Sequence, residues 1–241
     1  MGEGTEKGIL KLSGAMGLAA LGCALLFGLR AAMTGKASYS YLIWNLALAF
    51  VPYAIAALGL RLLARARARR ARTAAAFATS LLWLVFYPNA PYILTDFMHV
   101  INRAGLRPDS PLWMGANSLL WFDLLMNAAF AFTGHLIGLV SMWLARSLAA
   151  EAWGARAGRV LVGSAVLFSG FAVYLGRFAR LNSWDLLFDP GRVAGGAAEV
   201  GSEPRAILFS AAFSLFILLS YVALDAFKRA EPIEIRPLRR D

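Results

Sequence analysis

The chain has 241 residues, 59% of them hydrophobic and only 16% charged, with a net charge of +10 and a mean hydropathy of +0.61. A soluble domain carries about a quarter charged residues, so an ordinary soluble fold is excluded and an all-α, polytopic helical membrane protein is expected. Membrane barrel strands alternate apolar and polar residues, whereas the segments here are apolar on all sides.

The first apolar segment covers residues 12–29. It is longer than the roughly 7–15-residue core of a cleaved signal peptide, and Glu3 and Glu6 offset Lys7 and Lys11 before it, so it reads as a retained helix. It contains the only cysteine, Cys23, which excludes an internal disulfide and a thiolate zinc site. Further segments follow at 41–60, 74–94, 112–145, 160–181 and 206–227, giving about six transmembrane helices. Residues 1–227 form a single membrane domain in this reading.

Between the second and third segments lies RLLARARARRAR (61–72). Outside a membrane it would suggest nucleic acid. Between two apolar segments it sets orientation and attracts anionic lipid headgroups, and no nucleic acid is expected. The third segment runs into FYPNAPYILTDFMH (86–99), where Pro88 and Pro91 each remove an N–H donor and disfavour helix in the preceding residue. This helix is expected to break there. The fourth segment is long, about 51 Å if one helix, or else two short spans turning near Gly134. The fifth ends in GRFARLNSWD (176–185). The glycines of 188–205 predict a mobile loop, and the charged tail 228–241, with two prolines, predicts disorder.

Charge decides the fourth segment. With six helices and a cytoplasmic N-terminus, 16 of the 24 basic residues lie inside and 8 outside; with seven helices the division is 12 to 12. Inner loops are rich in Lys and Arg, and no hairpin signal stands near residue 134. Six helices with both termini inside place both polar runs at the outer boundary of a bacterial cytoplasmic membrane, where they could meet.

Asn89, between the prolines, can bond the freed carbonyls; the break is either a capped helix stop or a cavity wall. Asp96 and His99 share a face if helical. They form a hydrated interfacial pair, an acid-base pair, or two ligands too few to make a zinc site; no metal and no cofactor is expected. Arg177 and Arg180 are also i, i+3 neighbours. Either they snorkel, with Asp96 and Asp185 as counter-ions, or they make a fork for a phosphate or carboxylate. Asn182, Ser183 and Asp185 suit a cap or turn, with Trp184 as interfacial anchor. Asp123, roughly 15 Å into its segment, is a functional hypothesis by its depth; the structural alternative is a hydrogen bond to Asn45 or to the broken third helix. His135 reads as a packing or gating group.

Walker A, GxGxxG, HExxH and GxSxG patterns are absent. At FYPNAPYILTD (86–96) and GRFARLNSWD (176–185), and more weakly at NLALAFVP (45–52), the chain resembles a bacterial membrane family catalogued as domain of unknown function 1361. The resemblance spans the second to sixth segments. It implies a multi-pass membrane protein and no reaction, ligand or catalytic residue.

Three function classes follow. The favoured one is a non-enzymatic binding or assembly component, with Asn89, Arg177, Arg180, Asn182 and Asp123 holding an anionic lipid headgroup, an envelope precursor or a partner helix. The second is a membrane enzyme acting on an envelope substrate, with Asp96, His99 and Asp185 in acid-base or metal roles. The third is a small transporter with Asp123 on its path. An enzyme requires Asp96, His99 and Asp185 together in an open cleft, and a transporter requires a cavity reaching Asp123.

Overall fold

A computed structural model describes residues 3–103 and 118–229. Every regular element among them is helical. Five helices are long and apolar enough to cross a membrane: α1 (Glu3–Thr34), α2 (Ser40–Arg65), α6 (Ser118–Trp153), α7 (Ala155–Phe178) and α10 (Pro204–Arg229). The remaining apolar segment is the broken one. It starts as α3 (Arg69–Phe86), continues through α4 (Asn89–Tyr92) and a 3-10 turn (Ile93–Asp96), and ends as α5 (Phe97–Arg103). The break falls where the prolines predict it.

The long fourth segment is one unbroken helix. Gly134, the candidate turn, lies inside α6, where a Cβ would come within 2.8 Å of Ile93. Gly138 similarly admits Ala90, with a hypothetical Cβ 2.7 Å from its methyl group. These two glycines therefore seat the broken segment closely on α6 instead of turning the chain. The turn comes at Gly154, whose φ of 91° suits glycine and is the sole residue between α6 and α7.

α6 is the axis of the bundle. It packs on α1, α2, α3 and α7 and on the whole broken segment, while α10 leans mainly on α7. In α6, 67% of the most apolar window is buried, against 11% in α1 and 17% in α10. The two peripheral helices leave rows of leucine exposed, among them Leu18, Leu25, Leu208 and Leu219, the surface a lipid-facing helix presents. Cys23 packs, its Sγ 3.5 Å from the Thr133 hydroxyl. His135 is buried with its ring 5.1 Å from that of Phe216.

The region 188–205 is not a loop. It starts at the last residue of α8 (Asp185–Phe188) and is mostly α9 (Pro190–Gly201). Asp189 caps α9, accepting the Arg192 N–H at 3.2 Å, and Pro190 suits the first helical position. Val193, Ala197 and Val200 recur at i, i+4 and i+7 and pack on Leu175 and Leu181. That apolar face outweighs the cost of about 1 kcal/mol per helical glycine. The helix brings residues after GRFARLNSWD back over the end of α7. Of the tail, Lys228 and Arg229 complete α10, and the expected disorder of 230–241 lies outside the described residues.

The opposite end of the bundle is basic and laced with ion pairs. Arg72 of α3 reaches Glu151 of α6 at 3.0 Å. Arg146 of α6 reaches Asp225 of α10 at 3.3 Å and the Tyr221 hydroxyl at 3.0 Å.

Candidate functional site

The two polar runs meet. A cavity of about 460 Å³ is lined by Asn89, Asp96 and His99 from the first run and by Arg177, Asn182 and Ser183 from the second. α2 supplies Tyr41, Trp44, Asn45 and Leu48, and α9 closes one side with Val193 and Ala197. The volume is within the ordinary range of ligand pockets, about 300–1,000 Å³.

The runs touch directly. The Ser183 hydroxyl donates to Asn89 Oδ1 at 3.2 Å. Arg177 Nη1 lies 3.1 Å from His99 Nε2. A guanidinium carries only donors, so Nε2 accepts. His99 is then a neutral imidazole with its proton on Nδ1, and its ring lies tilted by 47° against that of Tyr41, the centroids 4.6 Å apart. The bare face of Gly176 makes the approach possible: a Cβ there would come within 3.1 Å of the Tyr92 ring.

Asp96 is buried, 2% exposed, and accepts the Asn45 side-chain amide at 2.7 Å. It lies past the apolar run 74–94. Burial pushes its carboxyl up to about 6, against the opposing effects of the Asn45 hydrogen bond and the Arg177 charge. Among the described residues no carboxylate pairs with Arg177. A cation thus faces the cavity with a neutral imidazole as its hydrogen-bond partner.

Other predicted residues stand elsewhere. Arg180 is exposed and does not line the cavity. α7 ends at Phe178, and Arg180 takes a left-handed φ of 54°, so it leaves the face it would share with Arg177 in a continuing helix. The two arginines do not form a fork. Asp185 accepts the Asn182 backbone N–H at 2.7 Å and caps the turn outside the cavity. The grouping of Asp96, His99 and Asp185 that an acid-base enzyme needs is therefore not made.

Asp123 also lies away from the cavity. It is held by Arg30 of α1, through Nε at 2.9 Å and Nη2 at 3.1 Å, and by the Tyr39 hydroxyl at 2.9 Å. Asn127 donates to its backbone carbonyl at 2.8 Å. The expected partner Asn45 belongs to Asp96 instead. Reading by segment missed Arg30, which falls just past the first segment 12–29, and Tyr39; the arginine closing the apolar run ALLFGLR was the available signal. It also missed the cavity walls on α2, where Asn45 carries no signature beyond being polar in an apolar helix. Among the described residues no three His, Cys, Asp or Glu side chains come together.

Comparison with curated proteins and with solved structures finds no match. A family model described as "Protein of unknown function (DUF1361)" matches residues 44–220, which take in both polar runs and every wall of the cavity except Tyr41. The chain therefore belongs to the DUF1361 family of proteins of unknown function.

Proposed function

We propose that this protein is a membrane-embedded binding component that holds an anionic head group, a phosphate or carboxylate, in the cavity between its two polar runs. The observation that carries the reading is Arg177: a half-buried guanidinium facing the cavity with His99, a neutral group, as its partner. An arginine in such surroundings recognises oxyanions through its fixed fork of donors. Asn89, Asn182 and Ser183 add neutral hydrogen-bonding groups around it. The excess of basic residues at the far end of the bundle supports a cytoplasmic location for that end and for both termini, with the cavity on the outer side of a bacterial cytoplasmic membrane.

The test is the response to inorganic phosphate of the purified protein. Ligand that binds only the folded state raises its melting temperature with concentration. Millimolar phosphate raises the melting temperature of the wild type, and Arg177→Ala abolishes the rise while Arg177→Lys retains part of it. Equal phosphate-induced rises in wild type and Arg177→Ala would overturn the proposal.

A further inference from the structure

The cavity has a direction. α2 and α7 do not pack along one another; α4 sits between them and touches both. A cleft therefore runs between α2 and α7 with the broken segment as its floor. Its polarity changes along both walls. On α7 the lining passes from Arg177 to Phe168, nine residues or roughly 14 Å at helical rise. On α2, which runs the other way, it passes from Tyr41 and Asn45 to Leu48. On both helices the polar groups are at the end of the bundle and the apolar groups are deeper. Val85 continues the apolar part across the floor.

The cleft is also open at its side. Trp44 and Phe168 line the cleft from opposite walls and are 61% and 39% exposed on the bundle surface. In a multi-pass membrane protein that surface, at the level of the apolar helices, meets lipid chains.

We infer that the ligand is a lipid: a single anionic group at Arg177, joined to one hydrocarbon chain that lies along Phe168, Ala172 and Leu48 and enters sideways between α2 and α7. This rests on the reading of the cavity as an anion site and adds the chain to it. A free phosphate would use the polar end alone and leave the apolar shaft without an occupant. An amphiphile matches both ends at once, with its charge and its tail in the order in which the bilayer presents them.

The experiment uses the full chain in phosphatidylcholine nanodiscs doped with dodecyl phosphate or with dodecanol, read by native mass spectrometry, beside the melting response to inorganic phosphate. Dodecyl phosphate is retained at least tenfold more than dodecanol. Ala172→Phe, which fills the shaft, lowers that retention at least tenfold and leaves the phosphate-induced rise in melting temperature intact. Leu167→Phe, on the neighbouring exposed face, changes neither. Where Ala172→Phe melts early, Leu48→Trp fills the same shaft from α2 and takes its place. Full retention in both shaft-filling variants overturns the chain while the anion site stands, and equal retention of dodecanol overturns the anionic head group of the lipid. Loss of the phosphate response in the wild type overturns the anion site itself.

Discussion

Two buried aspartates show how differently one bundle treats the same group. Asp123 on α6 and Asp96 at the end of the 3-10 turn are 7% and 2% exposed. Asp123 receives a bidentate arginine and a tyrosine hydroxyl. Asp96 receives one amide, and the arginine near it points its Nη1 at His99. A carboxylate taken out of water needs a cation or several donors to remain charged at low cost. Asp123 is satisfied inside the protein, so Arg30 has nothing left to offer a ligand. Asp96 is not neutralised by Arg177, and that arginine keeps its capacity for an oxyanion. The difference separates a structural ion pair from a candidate site.

Breaking the closed pair gives the largest effect. Arg30→Ala leaves the Asp123 carboxylate buried without its cation, at a cost of roughly 3–5 kcal/mol, read as a fall in melting temperature in detergent. The double variant Arg30→Met, Asp123→Leu recovers most of that loss. A single variant as stable as the wild type would refute the closed network.

At Asp96 the expected sign is opposite. Its folded-state pKa is raised, so the native state holds a proton that the unfolded state gives up between the ordinary carboxylate range and about pH 6. That favourable term is complete below the unfolded value and is lost as pH rises through about 6. Asp96→Asn keeps an acceptor for Asn45 without the charge. At pH 7.5 it is more stable than the wild type by roughly 2–3 kcal/mol, and the gap closes toward pH 4. A gap independent of pH would remove the buried carboxylate from the account. The same variant takes an opposing charge from beside Arg177, so it binds phosphate more tightly at pH 7.5.

The smallest effect comes from Arg180→Gly. Relief of the left-handed backbone stabilises by up to about 1 kcal/mol, partly offset by the greater freedom of glycine in the unfolded chain. The phosphate response is unchanged. A lost response would return Arg180 to the site.

Much of this arrangement is legible in the residues, for physical reasons. Prolines act locally, so the break after Phe86 follows from Pro88 and Pro91 alone. Charge asymmetry acts over whole segments, so counting arginines favours the single helix α6 and puts the two runs at one end of the bundle, while their direct contact does not follow from it. Pairing is a different matter, because it depends on rotation about helix axes. Nothing in the spacing shows that Asn45 faces Asp96 and not Asp123, or that Arg30 reaches 93 positions along the chain. Arg180 escaped for a related reason: the i, i+3 rule holds only while the helix continues, and α7 ends one residue before Ala179. The helix α9 was readable in part, since Asp189-Pro190 is a start signal, but four glycines within its twelve residues masked it.

The link between Arg30 and Asp123 also sets an order of events during synthesis. The arginine emerges 93 residues before its partner, about 5–20 s at cellular translation rates. During that interval α1 is in the bilayer without its counter-charge, and the guanidinium must stay among headgroups and water. Only when α6 inserts can it be drawn into the protein. The guanidinium, about one turn from the end of α1, therefore waits at the membrane boundary for a partner that has not yet been made.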